Sequence, residues 1–151
     1  MDVLNLGCGN KPKADAINHD IVKHRPEISV AWDLNDRPWP WADCSFDMIF
    51  ASAVLEHLRI TLVESLGECW RILRAGGQLH VKVPYWQHDN AYADPTHHWQ
   101  FSPRVFHFFD PETKLGREYG FYAGARPWRL IKAPYLNDAG SSVLATLEVR
   151  K

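Results

Sequence analysis

Short apolar runs that end at glycine or acidic residues dominate the first part of the chain. Residues 3–6 run into a turn with Gly7 and Gly9, and residues 16–20 and 28–34 each carry an acid at or near their end. Apolar runs of this length, bounded by turn residues, are typical of β-strands. We therefore predict three strands here, the first of which enters a glycine turn.

The pattern then alternates between strand and helix. Residues 46–52 read as an apolar strand, and a helical turn follows over residues 54–58. Residues 61–73 place apolar side chains at helical spacing, and Arg71 and Arg74 before the glycine pair 76–77 predict the helix end. Residues 78–84 form the next strand. Alternation of this kind predicts a parallel sheet with right-handed crossovers.

The second part of the chain breaks this rhythm. Residues 85–110 form a long segment rich in histidine and aromatic side chains, and a loop of that length in a small domain is usually functional. Residues 128–136 and 142–149 predict two strands in an antiparallel hairpin. The connections before residues 16 and 28 are too short for crossover helices. We predict an α/β fold with a mostly parallel sheet and reduced first crossover helices.

Composition and charge narrow the function. At 151 residues the chain is expected to form a single domain, residues 1–151. The net charge of −1 gives no excess of basic residues of the kind that binds nucleic acid. No apolar run approaches the ~20 residues that a membrane-spanning helix needs. The start of the sequence lacks the pattern of a signal segment, so we expect a cytoplasmic protein. Three scattered cysteines predict neither disulfides nor a zinc knuckle.

The glycine turn is the first candidate site. Gly7 and Gly9 can adopt positive φ and let a ligand approach the backbone closely, at the sheet edge where open α/β folds bind ligands. Pro12 stands where a dinucleotide fingerprint has its third glycine, so a plain strand-to-loop turn remains an alternative. Asp20 would end the second strand beside this turn. A carboxylate there can accept both ribose hydroxyls of a nucleoside, although a solvated acid is the alternative.

The loop at residues 85–110 supplies candidates for a catalytic base. Histidine is the side chain most often used as a base near neutral pH, so His97 and His98 are candidates, and Asp94 lies close to them in sequence. The same three residues could instead pack the loop or bind a metal ion. Their spacing matches no metal-binding signature, so we favour the lining of a substrate pocket and assign no metal site.

Five segments of the chain carry a family resemblance when they are taken in order. They are Leu-Asn-Leu-Gly-Cys-Gly at 4–9, Asn-His-Asp at 18–20, Ser-Phe-Asp-Met-Ile at 45–49, Val-Leu-Glu-His-Leu at 54–58 and Arg-Ile-Leu-Arg-Ala-Gly-Gly at 71–77. Together they resemble the class I S-adenosylmethionine-dependent methyltransferases, in particular the small type 11 methyltransferase domains. The resemblance implies a three-layer Rossmann-like methyltransferase sheet that ends in an antiparallel hairpin. It also implies S-adenosylmethionine as the cofactor.

The resemblance assigns roles to individual residues. The turn would line the methionine part of the cofactor, Asp20 would take the ribose, and the end of the fourth strand would face the sulfonium, with Glu56 and His57 just beyond. The resemblance thus implies a methyltransferase acting on an unidentified acceptor, most simply a small molecule. The cofactor-binding residues it implies are Gly7, Cys8, Gly9, Asp20, Asp33, Leu34, Ala51 and Ser52, and the candidates for catalysis are Asp94, His97 and His98.

Departures from the family pattern keep a second function open. Asn5 replaces the usual acid of the first strand, and the helix that precedes this strand in the family is missing from the sequence. We therefore also consider a catalytically degenerate cofactor-binding protein or a partner-dependent regulatory subunit, with a homodimer as one form of partnership. A nicotinamide dehydrogenase is disfavoured by the incomplete glycine pattern.

Overall fold

One eight-stranded sheet organises the fold. The computed structural model describes residues 1–151. The strand order is β3-β2-β1-β4-β5-β8-β6, and β7 also pairs with β8. The strands are β1 (Val3–Leu6), β2 (Ile17–Asp20), β3 (Val30–Ala31), β4 (Phe46–Ser52), β5 (Leu73–Pro84), β6 (Trp128–Leu130), β7 (Tyr135–Leu136) and β8 (Ser142–Val149).

The first five strands are parallel, as predicted. β1 pairs with β2 on one side and with β4 on the other, and β4 pairs with β5. The carboxyl ends of these strands therefore meet at one edge of the sheet. No helix connects β1 to β2 or β2 to β3, which confirms that the first crossovers are reduced. This arrangement brings the glycine turn, Asp20 and the end of β4 to the same edge.

The third strand is much shorter than predicted. Residues 28–34 were expected to be extended, but β3 comprises only two residues. Hydrogen bonds from Ser29 N–H to the Asn18 carbonyl and from Trp32 N–H to the Asp20 carbonyl continue the pairing on both sides of it. β2 ends at Asp20, so the chain beyond Trp32 has no neighbouring strand. Asp33 consequently lies in a loop rather than in the sheet.

The single long helix is α1 (Leu62–Ile72), which packs against β5. Thr61 caps it reciprocally with Glu64, which satisfies free amides of the first turn. The helix matches the predicted residues 61–73 closely, but the next strand begins at Leu73 and not at residue 78 as predicted, so the glycine pair 76–77 lies within β5. The amides of Cys44 and Ser45 donate to the carbonyls of Arg71 and Ile72, so the preceding loop caps the helix and Leu73 already pairs as a strand.

The C-terminal hairpin is confirmed, with one interruption. β8 lies between β5 and β6 and is antiparallel to both. The predicted strand over residues 128–136 is split into β6 and β7, and Pro134 lies in the gap. Proline cannot donate a ladder hydrogen bond, which explains the break before Tyr135.

The predicted long loop carries short helical segments. Asp89–Ala91 and Pro103–Phe109 are 3₁₀ helices, and the second packs against β6 and β8. A short helix, α2 (Lys114–Tyr119), and a 3₁₀ turn at Gly120–Ala123 follow. None of the helices has both the length and the apolar character needed to cross a membrane.

Candidate active site

Two adjoining cavities open at the carboxyl edge of the parallel strands. The glycine-turn cavity has a volume of about 520 Å³ and lies over the ends of β1, β2 and β3. The histidine cavity, of about 450 Å³, lies beyond β4 and β5. Ala53 and His57 line both, so the two cavities adjoin at these residues. Ligand sites of small molecules typically occupy cavities of this size.

The glycine turn has the left-handed backbone that its sequence predicts. Gly7 has φ of 55° and Gly9 has φ of 51°. The three amides of the turn do not point at a ligand, however, because the end of β2 accepts all of them. Gly7 N–H donates to His19 Nδ1 at 3.3 Å, Cys8 N–H to the His19 carbonyl at 2.9 Å and Gly9 N–H to Asp20 Oδ2 at 2.7 Å. The turn thus lets a ligand approach the backbone closely, and the space above Gly9 is free of protein atoms.

Asp20 lies in the glycine-turn cavity, where the sequence predicts a ribose ligand. Its Oδ2 accepts from Gly9 and its Oδ1 from the amide of Ile21, at 2.7 Å each. A carboxylate has about four acceptor positions, so two remain for a ligand after these bonds. The same bonds fix the side chain in one orientation before any ligand arrives.

His19, at the end of β2, connects the segments that follow β1 and β3 through hydrogen bonds of its ring. The sequence analysis did not identify it as a site residue. The ring is buried, and Nδ1 accepts from the Gly7 amide while Nε2 lies 2.9 Å from the Trp32 carbonyl. A carbonyl can only accept, so the proton sits on Nε2 and the ring is neutral. Burial lowers the pKa of His19 and outweighs the opposing effects of the Trp32 carbonyl and Asp20.

The lowered pKa of His19 predicts a loss of stability at acid pH. The unfolded chain binds a proton near the ordinary value of 6.5, whereas the folded chain resists it. The contribution of His19 to the free energy of unfolding should therefore have its full value above pH 6.5. It should decrease as the pH falls from that value toward the lowered pKa of the folded state. Urea unfolding across this range would measure the slope. His19→Gln should reduce the slope, and the exposed control His24→Gln should keep it; identical slopes in all three proteins would contradict the prediction.

Asp33 and Leu34 also line the glycine-turn cavity, as the resemblance implies. Asp33 Oδ1 accepts from the backbone and side-chain amides of Asn35, and its Oδ2 lies 3.9 Å from the Arg59 guanidinium. Asn35 Oδ1 in turn accepts from the Arg59 amide at 2.6 Å. This network joins the loop after β3 to the segment after β4 and so closes one side of the cavity.

The histidine cavity contains a buried acid beside two histidines. Glu56 has no exposed surface, and neither of its carboxylate oxygens has a hydrogen-bond partner. Burial raises the pKa of Glu56 to about 7. His57 and His97 stand next to it with ring centroids 4.7 Å apart. Asp94 completes the polar wall, and hydrogen bonds from Thr96 lower the pKa of this carboxyl.

Ala53 is a backbone outlier between the two cavities. Its φ of 55° is left-handed, which is uncommon for a residue with a Cβ. Its amide donates to the Lys82 carbonyl at 2.8 Å, which holds the strained turn at the end of β4. Strained residues of this kind cluster at functional sites. Nothing in the sequence marks Ala53, because alanine is not a residue that predicts positive φ.

The remaining predicted residues fall outside the linings of these cavities. Ala51 is buried in the sheet and Ser52 is exposed, so the cavity wall begins one residue later, at Ala53. The Cys8 side chain is buried, and burial raises the pKa of its thiol, which favours packing over a nucleophilic role. His98 is exposed and lines neither cavity, so its position does not support a catalytic role.

Comparisons with known proteins identify the family and the fold. The sequence model of the family described as "Methyltransferase domain" matches residues 4–81. A methyltransferase in complex with the Trm112 methyltransferase activator from Haloferax volcanii matches with a TM-score of 0.66 and 16% identity, covering 99% of this chain and 83% of that one. A methyltransferase of Archaeoglobus fulgidus, dependent on S-adenosylmethionine, has a TM-score of 0.66 and 16% identity, with coverage of 98% and 86%.

The N-methyltransferase NodS from Bradyrhizobium japonicum, in complex with S-adenosylhomocysteine, matches with a TM-score of 0.64 and 15% identity over 100% of this chain and 79% of that one. Identities this low establish the fold and nothing finer. No curated protein sequence matches the chain. The family match covers more than half of the chain and includes the glycine turn, Asp20 and the Glu56–His57 pair. This chain therefore belongs to the methyltransferase domain family, within the class I S-adenosylmethionine-dependent methyltransferases.

Proposed function

We propose that the protein transfers a methyl group from S-adenosylmethionine, held in the glycine-turn cavity, to a small-molecule acceptor held in the histidine cavity. The observation that carries this proposal is that the two cavities adjoin at Ala53 and His57. Methyl transfer is an in-line displacement, so donor and acceptor must come into direct contact. Cavities that share lining residues allow the two molecules to meet there.

The glycine-turn cavity suits a nucleoside cofactor. Asp20 presents acceptor positions for ribose hydroxyls, and the apolar surfaces of Trp32, Leu34 and Leu58 suit an adenine ring. A Cβ built on Gly9 would contact nothing within 4 Å, so the floor of the turn is open to a bound molecule. When bound, S-adenosylmethionine supplies a methyl group on a positively charged sulfur. These residues fit that cofactor.

The histidine cavity suits a polar acceptor. The side chains of Lys82, Asp94 and His97 line it, in addition to Glu56 and His57. We propose that the first three groups orient the acceptor toward the residues that the two cavities share. Where the acceptor carries a proton at attack, His97 is the proposed base, because its Nδ1 is held by the Ala91 carbonyl at 3.1 Å and Nε2 is left to accept.

Removal of the Asp20 carboxylate should weaken cofactor binding. Asp20→Ala is expected to cost about 1–3 kcal/mol of binding free energy for S-adenosylhomocysteine, the range for a charged hydrogen-bond partner. Isothermal titration measures the change, and thermal unfolding checks that the turn survives. Asp36→Ala removes an exposed acid that lines neither cavity and should bind like the wild type. Unchanged affinity in Asp20→Ala would remove the ribose assignment.

The proposal as a whole is tested in two stages. Isothermal titration with S-adenosylmethionine, S-adenosylhomocysteine and NADH should show micromolar binding of the two sulfur nucleosides alone. A screen of small hydroxyl, amine and thiol compounds for S-adenosylhomocysteine formation then identifies the acceptor class. Binding without turnover on any acceptor would argue against a self-sufficient enzyme, and binding of NADH in preference would overturn the cofactor assignment.

A partner-dependent protein is the second candidate function. Ile21 and Trp32 line the glycine-turn cavity and are 59% and 36% exposed, and Val22 beside them is 58% exposed. The Haloferax volcanii relative was solved in complex with a methyltransferase activator. We propose that a partner, or a second copy of this chain, covers this apolar rim. Sedimentation analysis with and without S-adenosylhomocysteine would detect self-association, and a strictly monomeric, fully active protein would exclude this candidate.

A further inference from the structure

Glu56 is a buried acid whose carboxylate has no hydrogen-bond partner. It is completely buried, it borders the histidine cavity, and both carboxylate oxygens lack a hydrogen-bond partner. A buried ionised carboxylate without compensation costs several kcal/mol. Such a group requires either a proton or a cation placed against it.

His57 presents a free ring nitrogen beside Glu56. Its Nδ1 lies 2.8 Å from Thr96 Oγ1, and the Thr96 hydroxyl donates its only proton to Asp94 Oδ1 at 2.7 Å. Thr96 must therefore accept from His57 Nδ1–H, and the Nε2 lone pair of the neutral ring is free. A histidine that donates its other N–H to an oxygen in this way is typical of a metal ligand.

His97 is oriented in the same manner. Its Nδ1 lies 3.1 Å from the Ala91 carbonyl, which can only accept, so its Nε2 is also free. The side chain is 8% exposed, and Asp94 Oδ2 lies 3.8 Å from this Nε2. Two imidazoles thus lie beside one buried carboxylate, and each has its Nδ1 within hydrogen-bond distance of an oxygen that holds the ring in place.

We propose that Glu56, His57 and His97 bind a divalent transition-metal ion in the wall of the histidine cavity. One potential ligand atom from each residue lies within 4.8 Å of the other two. Ligands at ~2.0–2.2 Å from a zinc ion stand roughly 3–4 Å apart, so small side-chain rotations complete the site. Two imidazoles and one carboxylate suit Zn²⁺, Co²⁺ or Fe²⁺ better than Mg²⁺ or Ca²⁺.

The site goes beyond the proposed function and does not depend on it. With only three protein ligands, a bound ion would keep a coordination position for a further ligand, as in catalytic rather than structural metal sites. A hydroxyl of an acceptor bound there would have a lowered pKa because of the ion's charge. The ion would then take over from His97 the task of promoting deprotonation. The rival interpretation is a proton on Glu56, with no metal.

Cobalt titration of the chelator-treated, full-length protein tests the site. Co²⁺ should bind with one ion per chain and give the visible absorption of a nitrogen- and oxygen-ligated ion, and Zn²⁺ should displace it. Glu56→Gln and His97→Ala should each weaken binding at least tenfold, about the effect known for losing even an outer partner of a metal ligand. His98→Ala, the neighbouring histidine outside the cavity, should bind like the wild type.

A second variant separates metal binding from simple folding defects. Thr96→Val keeps the side-chain shape but removes the oxygen that fixes the His57 tautomer, so cobalt affinity should fall about 10–100-fold. In chelator, Glu56→Gln should be at least as stable to heat as the wild type, because the variant removes a buried charge that has no partner. Added Zn²⁺ should raise the melting temperature of the wild type and not of this variant.

Two outcomes would overturn the proposal. One is the absence of a cobalt spectrum in the folded wild type, and the other is equal affinity in the wild type, Glu56→Gln and His97→Ala. Titration with S-adenosylhomocysteine in chelator is run in parallel. Cofactor binding without metal binding would reject the metal site alone, and metal binding without cofactor binding would reject only the proposed function.

Discussion

Replacing Gly7 with valine should destabilise the folded protein by about 3 kcal/mol or more, because two penalties combine. Gly7 has φ of 55°, a conformation that costs an L-residue about 1–2 kcal/mol. A Cβ at this position would stand 2.6 Å from Val54 Cγ2 and 2.8 Å from Val54 Cβ, both part of a buried, rigid side chain. Native domains have only about 5–15 kcal/mol of stability in total, so the loss is severe.

Gly9→Val is the matched control for this effect. Gly9 has a similar φ of 51°, but a Cβ there meets nothing within 4 Å. We expect only the backbone penalty of about 1–2 kcal/mol in the unfolding free energy, together with blocked cofactor binding, because Gly9 lines the glycine-turn cavity. Urea unfolding and isothermal titration separate the two effects. Equal stability of both variants would show that the Val54 contact yields easily.

Gly7 therefore has a structural role as well as a place in the cavity wall. A bare backbone at Gly7 is needed for the packing of β1 against the turn after β4, where Val54 sits. The sequence alone suggests only that a ligand needs this glycine. The contact with Val54 lies 47 positions along the chain, so it exists only because β1 and β4 are adjacent parallel strands.

Removing the His97 imidazole should lower turnover about 10²–10⁴-fold, the contribution typical of a positioned proton acceptor. His97 lines the histidine cavity and not the glycine-turn cavity, so cofactor affinity should remain unchanged. Turnover is measured with the acceptor from the screen, and affinity by titration with S-adenosylhomocysteine. Loss of both quantities together would indicate a structural role instead.

His98→Ala provides the sharpest comparison for this experiment. Sequence alone ranks the two neighbouring histidines equally, whereas the structure exposes His98 and directs His97 to the cavity. We expect His98→Ala to retain wild-type turnover. A large loss in His98→Ala with an active His97→Ala would reverse the assignment. Repetition of the assay in chelator distinguishes a base from a metal ligand at His97, because only the latter role would respond to metal removal.

Local signals in the sequence were sufficient to predict the parallel sheet, the glycine turn and the C-terminal hairpin. Short apolar runs mark the strands, the glycines at 7 and 9 mark the turn, and Asp20 marks the end of β2. Each of these features depends mainly on residues that are close together in the sequence, so the sequence pattern predicts them. The errors occurred where a distant segment decided the outcome. The loop at Cys44 and Ser45 caps α1 and Leu73 pairs with β4, so β5 begins five residues earlier than predicted, and the short β2 limits β3.

For the candidate site too, some features were predictable from local sequence and others depended on contacts between distant segments. The sequence by itself determined the family, predicted the glycine turn at the carboxyl edge of the parallel strands, and supplied Asp20, His57 and His97 as candidate residues. Only the tertiary structure placed His19 across three strand ends, moved the cavity wall to Ala53 and buried Glu56 without a partner beside His57 and His97. Burial, tautomers and the distances between side chains depend on contacts between segments far apart in the chain, and local sequence patterns carry no record of them.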